Sequence, residues 1–500
     1  MPKAVLILHR WLGVIIGMVM TLWCLSGFVM MYVDYPRLTP AEQVRGLPPL
    51  RLPAAAALAR IDLPDDLELA SARLETMAGR TILRVVPATA PERRIEPVRS
   101  IPGSYDLARG VPLAALSPSD LRRVASDYAE QAGVAGASAR VVETGIDQWT
   151  VQTFRRDRPL FRVDYADPAG TTVYIAGKRG EVVQQTTRFE RFWGWFGAVP
   201  HWLYPVLLRQ NSALWSQVVI WTSLIGCFLT VTGLWVGIAR LRRRRDGSFG
   251  SPYKGLWWWH HVLGLAFGVL TLTWVASGLF SMNPWGFLGS SAGAVERQRL
   301  AGPMTWGALR TALARIKQIP ADTRRLESAP LGGDIFLLAV NGAGVVTRFD
   351  AEGRLAPLRR DELAAALRSG PPVASLTLLT VEDTYYYGHK VPAALPVWRA
   401  DLADGQATRL YIDADSGALL RTLDGNARAS RWLQDGLHRF DLPGLRARPV
   451  WDLVVLPLLG MVTLVCATGS WMGLRKAKRD LRRVLRRRRV GSAQAPPSSG

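Results

Sequence analysis

The sequence predicts a membrane-embedded bundle of four α-helices and two α+β domains outside the membrane, produced by an internal duplication. Three observations lead to this fold class. Four apolar segments are long enough to span a hydrocarbon core of about 30 Å, which needs roughly 20 residues of helix. Arginine and lysine cluster beside the ends of these segments. Short motifs in the first half of the chain return in the same order in the second half.

The apolar segments follow a helix–domain–helix order that occurs twice along the chain. They cover residues 11–33, 214–238, 261–283 and 450–474. The first segment is too long for the apolar core of a signal peptide and has no small-residue cleavage site, so we expect a retained membrane anchor. The expected boundaries are 1–33, 201–240, 257–284 and 438–475 for the four membrane helices, 34–200 and 285–437 for the two domains, and 241–256 and 476–500 for a basic loop and a basic tail.

The formal net charge of +22 is concentrated next to the membrane segments. Dense arginine runs lie at 240–245 and 475–489, directly after the second and fourth segments. Basic residues close to membrane ends mark cytoplasmic loops. We therefore expect both termini and the 241–256 loop in the cytoplasm, and both large domains on the periplasmic side of a bacterial inner membrane. This placement makes the lipid membrane a partner and argues against nucleic-acid binding.

The two long segments between the membrane helices have an α+β pattern. Alternating apolar residues bounded by turn residues, as at 161–165 and 409–412, predict short strands. Stretches with helical periodicity at 119–131 and 360–367 follow polar or proline residues, which favour helix starts. Each domain is therefore expected to combine modest strands with one or two helices.

The sequence at the start of the first membrane helix recurs at the start of the third. Residues 8–13 read Leu-His-Arg-Trp-Leu-Gly, and the apolar segment that they open ends in Ser-Gly at 26–27. Residues 259–264 read Trp-His-His-Val-Leu-Gly, and that segment again ends in Ser-Gly, at 277–278. A repeat of this length indicates two copies of one structural unit.

The duplication continues through the soluble segments into the second and fourth membrane helices. Aligning Pro-Leu-Phe-Arg-Val-Asp at 159–164 with Pro-Val-Trp-Arg-Ala-Asp at 396–401 also places His438 on His201. A shift of one residue then matches the Thr-Gly pair that ends at Gly233 with the pair that ends at Gly469. Each unit therefore reads as helix, soluble domain, helix.

Five of the six histidines lie at predicted membrane borders, which suggests that they ligate heme iron. Bis-imidazole ligation needs histidines from facing helices, each held through its second ring nitrogen. We expect His9 with His260 to bind one heme at the cytoplasmic border, and His201 with His438 to bind a second at the periplasmic border. His261 remains an alternative to His260, although it points about 100° away around the helix.

These motifs resemble the PepSY-associated transmembrane family. The resemblance rests on His-Arg-Trp-Leu-Gly at 9–13, its Ser-Gly exit at 26–27 and the second His-x-x-Leu-Gly at 260–264. In addition, 411–420 looks like the strand–turn–strand of a PepSY domain. The resemblance implies two PepSY-like domains and an inner-membrane reductase of the ferric-siderophore type. It would use heme b, which the two histidine pairs would bind as two hemes per chain, with no catalytic residue beyond the heme ligands.

The implied partners are a ferric siderophore or another iron chelate, and an electron donor that is either a quinol or a cytoplasmic reductase. The sequence contains no Gly-rich dinucleotide signature, so the donor stays open. Two other classes also remain: a non-enzymatic PepSY membrane module that binds a partner protein, and a transporter for heme or an iron complex. Because 11–33 and 261–283 contain no Asp, Glu, Lys or Arg, an ion-coupled carrier is disfavoured.

Overall fold

The structure, a computed structural model, describes residues 3–88, 103–135, 140–153, 157–243 and 245–493, with side chains as far as 482. Part of the 240–245 arginine run, part of the 475–489 run and the end of the predicted tail thus lie outside the described residues. The chain forms two compact units, which we call the membrane unit and the sheet unit. The membrane unit comprises Met1–Tyr35, Phe192–Phe287 and Ser430–Gly500, and the sheet unit comprises Pro36–Arg191 and Leu288–Ala429.

The helices occur in both units. In chain order they are α1 Lys3–Met30, α2 Pro40–Arg45, α3 Ala55–Ala59, α4 Pro118–Ala132, α5 Arg188–Phe196, α6 Ala198–His201, α7 Val206–Arg209, α8 Ser212–Arg240, α9 Leu256–Ser281, α10 Ala292–Ala301, α11 Trp306–Arg315, α12 Arg360–Leu367, α13 Gly425–Ser430, α14 Leu437–Arg439 and α15 Val450–Ala493. A π-helical turn, Arg431–Gly436, precedes α14. Among the described residues, four helices are long and apolar enough to cross a membrane, namely α1, α8, α9 and α15. The four predicted spans are therefore confirmed.

The spanning helices pack closely through small residues. A Cβ added at Gly17 of α1 would lie 2.8 Å from Ser470 Oγ of α15. A Cβ at Gly268 of α9 would lie 2.5 Å from Leu234 Cδ2 of α8. Small residues let helix backbones approach in membranes, where van der Waals packing replaces the hydrophobic effect between helices. These two glycines therefore serve helix packing.

Two spanning helices begin later than the sequence predicted. We expected them to start at 201 and 438, but α8 starts at Ser212 and α15 at Val450. The backbone turns out of helical geometry just after each histidine, where Leu203 has φ 47° and Phe440 has φ 56°. His201 and His438 consequently occupy the short helices α6 and α14. The fourth helix also continues past the predicted end at 475, because the Arg-, Lys- and Leu-rich run that follows favours helix.

Seventeen strands occur among the described residues. In chain order they are β1 Leu69–Met77, β2 Arg80–Pro87, β3 Ser104–Asp106, β4 Val111–Pro112, β5 Arg140–Thr144, β6 Leu160–Asp164, β7 Thr172–Ala176, β8 Glu181–Thr186, β9 Arg242–Arg243, β10 Phe249–Gly250, β11 Thr323–Ser328, β12 Leu337–Asn341, β13 Val346–Phe349, β14 Val373–Leu379, β15 Val397–Leu402, β16 Arg409–Asp413 and β17 Leu419–Leu423. Apart from the hairpin β9–β10, they all belong to the sheet unit, which is α+β as the sequence predicted.

Two four-stranded sheets in the sheet unit have the same design. The orders β5-β6-β7-β8 and β14-β15-β16-β17 are both antiparallel meanders. The register shifts after Tyr174 in the first sheet and after Tyr411 in the second. The Tyr174 hydroxyl donates to Asp147 Oδ2 at 2.6 Å, and the Tyr411 hydroxyl donates to Asp383 Oδ2 at 2.9 Å.

The third sheet has strands from both long segments of the chain. Its order is β13-β12-β11-β1-β2-β3-β4, so that β1 pairs antiparallel with β11. Fully buried Trp306 belongs to the core beneath it. The sequence assigned 34–200 and 285–437 to two domains and did not predict this shared sheet, because pairing between distant strands leaves no local periodicity.

Candidate paired-histidine sites

His9 and His260 occupy equivalent positions between spanning helices. The Nδ1 atom of His9, on α1, lies 3.1 Å from the carbonyl oxygen of Leu229 on α8. The Nδ1 atom of His260, on α9, lies 3.2 Å from the carbonyl oxygen of Val465 on α15. His9 and His260 thus stand near the starts of α1 and α9, and the same kind of carbonyl contact holds each of them.

A threonine also contacts each of these two histidines, one helical turn after the carbonyl group that holds the imidazole. Thr232 Oγ1 lies 3.4 Å from Nδ1 of His9, and Thr468 Oγ1 lies 3.2 Å from Nδ1 of His260. Each threonine hydroxyl donates its own proton to the helix, as Thr232 does to the Leu229 carbonyl at 2.9 Å. The hydroxyl oxygen is thereby turned toward the imidazole as an acceptor.

His201 and His438 form a second pair at the other ends of α1 and α9, and again a carbonyl oxygen and a hydroxyl oxygen lie near each Nδ1 atom. Nδ1 of His201 lies 3.1 Å from the carbonyl oxygen of Trp23 and 3.2 Å from Ser26 Oγ. For His438, these distances are 3.2 Å to the carbonyl oxygen of Trp274 and 3.1 Å to Ser277 Oγ. The two imidazole centroids are 6.0 Å apart.

The hydrogen bonds fix which nitrogen of each ring can ligate a metal. A carbonyl oxygen only accepts, so Nδ1 carries the proton in all four histidines. Among the described residues, no hydrogen bond reaches Nε2 of any of the four. Each Nε2 therefore presents a lone pair, and a histidine held through Nδ1–H is the usual arrangement of a metal ligand.

Burial keeps the second pair neutral. His201 and His438 lie outside the four spanning helices, in α6 and α14. Burial lowers the pKa of His201, and burial together with the neighbouring His201 lowers the pKa of His438 to about 4. Both imidazoles are consequently neutral at pH 7, which is the protonation state that binds a metal.

The two pairs lie far apart along the bundle. His9 and Ser26, which contacts His201, are separated on α1 by about 25 Å at 1.5 Å per residue. A hydrocarbon core is about 30 Å thick. The pairs thus lie near opposite ends of the spanning helices, and we call these the His9 end and the His201 end.

The remaining two histidines are placed differently. His261 uses both nitrogens, since Nδ1 lies 2.8 Å from Ser251 Oγ and Nε2 lies 2.8 Å from the Gly237 carbonyl oxygen. It thereby links the start of α9 to the preceding loop and to α8, which leaves His260 as the ring with a free nitrogen. His389 belongs to the sheet unit.

The sequence did not assign roles to the four hydroxyl residues that hold the imidazoles. Ser26 and Ser277 stand in the Ser-Gly exits, while Thr232 and Thr468 stand in the Thr-Gly pairs. Their recurrence at equivalent repeat positions was the available signal. Sequence spacing alone does not show that each faces a histidine from another helix.

Each pair contributes two histidines whose Nε2 atoms can ligate a metal ion. Among the described residues, no group of three or more His, Cys, Asp or Glu side chains is placed to hold a bare metal ion. A pair of imidazoles would suit an iron whose remaining ligands come from a macrocycle. The glycines that follow the first histidine pair leave space beside it, because a Cβ at Gly13 or Gly264 would meet nothing within 4 Å.

Comparison with known proteins gives one match. The family described as the PepSY-associated TM region matches residues 6–340, which include three of the four paired histidines. No curated protein sequence matches the chain.

Proposed function

This chain belongs to the family of the PepSY-associated TM region, and we propose that it is a b-type heme reductase of the bacterial inner membrane. It would pass electrons across the membrane to a periplasmic ferric siderophore, or to another iron chelate. The observation that carries the proposal is the arrangement of two histidine pairs, each with free Nε2 atoms, at opposite ends of one helix bundle.

The residues of both sites fit heme. Two imidazoles that share one iron would have centroids roughly 6 Å apart, because a metal–imidazole bond is about 2 Å long. The 6.0 Å between His201 and His438 agrees with that spacing. At the His9 end, the open space at Gly13 and Gly264 can take the edge of a flat macrocycle. His9 and His260 would hold one heme, and His201 and His438 the other.

Bound heme supplies reversible one-electron transfer. The residues of this chain set the conditions for it. The carbonyl acceptors on Nδ1–H hold each ring at a fixed rotation and make Nε2 a better electron donor. Gly233 and Gly469 let α8 and α15 approach the rings of His9 and His260 closely. The apolar packing between the two pairs, which includes buried Met20 and Val462, excludes water.

The proposed orientation follows from the basic residues. The N-terminus carries Lys3 and Arg10, and the 241–256 loop and the helix α15 beyond the membrane carry dense Arg and Lys, which favours the cytoplasmic side for all three. The His201 end then faces the periplasm. The sheets of the sheet unit would belong to two PepSY-like domains. We further propose that both arose by duplication, which is supported by the equivalent hydrogen bonds of Tyr174 and Tyr411.

The substrate would receive one electron for each ferric ion. Iron(II) is held weakly by hydroxamate or catecholate chelators that bind iron(III) tightly, so reduction releases the metal. The chemistry needs no proton transfer and no covalent nucleophile. The electron donor would be a quinol or a cytoplasmic reductase at the His9 end.

The proposal is tested by reduction across a membrane. The protein is reconstituted in phosphatidylcholine vesicles that enclose dithionite, with a ferric hydroxamate chelate and an impermeant iron(II)-binding dye outside. We expect dye colour well above that of protein-free vesicles, and its loss in His9→Ala and His201→Ala. His261→Ala is the matched control and should retain the activity. A heme-containing wild-type protein that gives no colour above protein-free vesicles would refute the reductase function and leave heme binding intact.

A further inference from the structure

The short helix α5, Arg188–Phe196, exposes an unusual number of aromatic side chains. Its sequence is Arg-Phe-Glu-Arg-Phe-Trp-Gly-Trp-Phe. All five aromatic residues are exposed, namely Phe189 at 61%, Phe192 at 55%, Trp193 at 36%, Trp195 at 52% and Phe196 at 56%. A contiguous apolar surface of this kind marks an interaction site.

The exposed aromatics form one face of the helix. Phe189, Phe192 and Phe196 follow the i, i+3, i+7 spacing of an amphipathic helix. The Phe192 and Phe196 rings pack against each other with centroids 5.2 Å apart. Gly194 lies on the opposite side and is buried. The side of α5 that contains Gly194 therefore packs against the protein, and the aromatic face points outward.

The end of α5 lies at the His201 end of the membrane unit. A Cβ at Gly197, the next residue, would lie 2.8 Å from Val29 Cγ1, in the last turn of α1. His201 follows in α6, against Ser26 of the same helix. Phe192–Phe196 thus reaches the level at which the first spanning helix ends.

Other exposed aromatics occur at the same ends of the spanning helices. Tyr32, just after α1, is 53% exposed, while Trp285 and Phe287, just after α9, are 78% and 49% exposed. Trp and Tyr gather at the level of lipid headgroups because their apolar rings carry a polar N–H or O–H, and Phe is common on the apolar face of interfacial helices. The aromatic face of α5 continues this belt.

We propose that the Phe192–Phe196 part of α5 lies at the membrane interface, with Phe192 and Phe196 inserted at the boundary between headgroups and acyl chains. The occupant of this face is therefore lipid, since the face continues the ends of α1 and α9.

Spin-label accessibility tests this placement in the whole protein. Phe192→Cys and Phe196→Cys are labelled with a nitroxide in a background where Cys24, Cys227 and Cys466 are replaced by alanine, and reconstituted in phosphatidylcholine–phosphatidylglycerol vesicles. Two reference labels bracket the result. Ile15→Cys lies in the middle of α1 and is 66% exposed, and Glu130→Cys lies exposed on α4 of the sheet unit.

We expect the ratio of oxygen collisions to nickel-chelate collisions at 192 and 196 to lie between those references. A ratio equal to that at 130 would show a water-facing helix and overturn the proposal. Low collision rates with both reagents would show that protein, such as a second copy, covers the face, and would overturn it as well.

A second measurement needs no substitution. A photoactivatable phospholipid in the same vesicles should label the wild-type peptide that contains Phe192–Phe196 and leave the peptide that contains α4 unlabelled. Equal labelling of both peptides, or of neither, would contradict an interfacial α5.

Discussion

Gly233 lies so close to His9 that a Cβ at this position would be 2.7 Å from the Cε1 atom of the imidazole. The corresponding distance from a Cβ at Gly469 to Cε1 of His260 is 2.8 Å. Real Cβ atoms do not approach other atoms so closely. Glycine at both positions is therefore a condition for the orientation of the two histidines.

Gly233→Ala and Gly469→Ala should each displace one imidazole and weaken heme binding at the His9 end. A misplaced ligand or supporting group typically lowers metal affinity by roughly 10–100-fold. We expect a heme content near one per chain, with the remaining heme at the His201 end. Gly460→Ala is the matched control, because a Cβ there would meet nothing within 4 Å. Full heme content in both variants would contradict this account of the site.

His261→Ala should retain both hemes, whereas His260→Ala should lose one. Both nitrogens of His261 are already hydrogen-bonded, to Ser251 and to the Gly237 carbonyl. Visible spectra of the two purified variants, with heme counted per chain, make the comparison directly. Loss of heme in His261→Ala together with retention in His260→Ala would instead make His261 the ligand.

Ser26→Ala and Ser277→Ala should shift the reduction potential of the heme at the His201 end while leaving heme bound. Each substitution removes one acceptor from Nδ1–H and leaves the carbonyl of Trp23 or Trp274. The imidazole then donates less electron density, which disfavours the ferric state and raises the midpoint potential. We expect an increase of tens of millivolts in a redox titration, since tenfold in a one-electron equilibrium is about 59 mV. An unchanged or lowered midpoint would contradict this role.

Glu75 is the centre of a buried ionic network in the sheet unit. It is 1% exposed and lies 2.5 Å from Arg84 and 3.2 Å from Arg325. Burial alone would raise the pKa of Glu75, but Arg84, Arg325 and Arg73 outweigh it and lower the pKa to about 2. Because the folded pKa lies below the unfolded value of 4.5, ionised Glu75 stabilises the fold above pH 4.5.

This stabilisation should disappear as the pH falls from 4.5 toward 2, with a decrease of roughly 3 kcal/mol in the free energy of unfolding. Glu75→Gln should destabilise the sheet unit by roughly 3 kcal/mol at pH 7, because it removes the carboxylate that buried Arg84 and Arg325 share and leaves them to pair with Glu181 and Glu327. Glu352→Gln breaks a half-exposed pair with Arg315 and should have little effect. Thermal unfolding in detergent measures all three proteins. Equal melting temperatures of Glu75→Gln and wild type would contradict the proposed importance of the network.

The sequence predicted the parts of the molecule that depend on local patterns. Four apolar segments sufficed for four helices, and the PepSY-associated family was recognised from motifs such as 9–13 and 26–27. The repeat also pairs His9 with His260 and His201 with His438. These features could be predicted because each depends on a short sequence motif or on the recurrence of such a motif.

The remaining features depend on contacts between distant segments. Glu75 lies opposite Arg325 in the pairing of β1 with β11, and neither strand carries a local sign of its partner. The position of His201 beside Ser26 likewise follows from the packing of α6 against α1. The late start of α15 follows from the positive φ of Phe440, which a hydropathy window does not register.

The central claim, that paired histidines hold heme at both ends of the bundle, is tested most directly by counting heme. Protein expressed with sufficient heme is purified, and a pyridine hemochromogen assay is related to protein concentration. We predict two b-type hemes per chain in the wild type and one in His201→Ala, with the other retained by His9 and His260. A colourless wild-type protein without a Soret band would contradict the account.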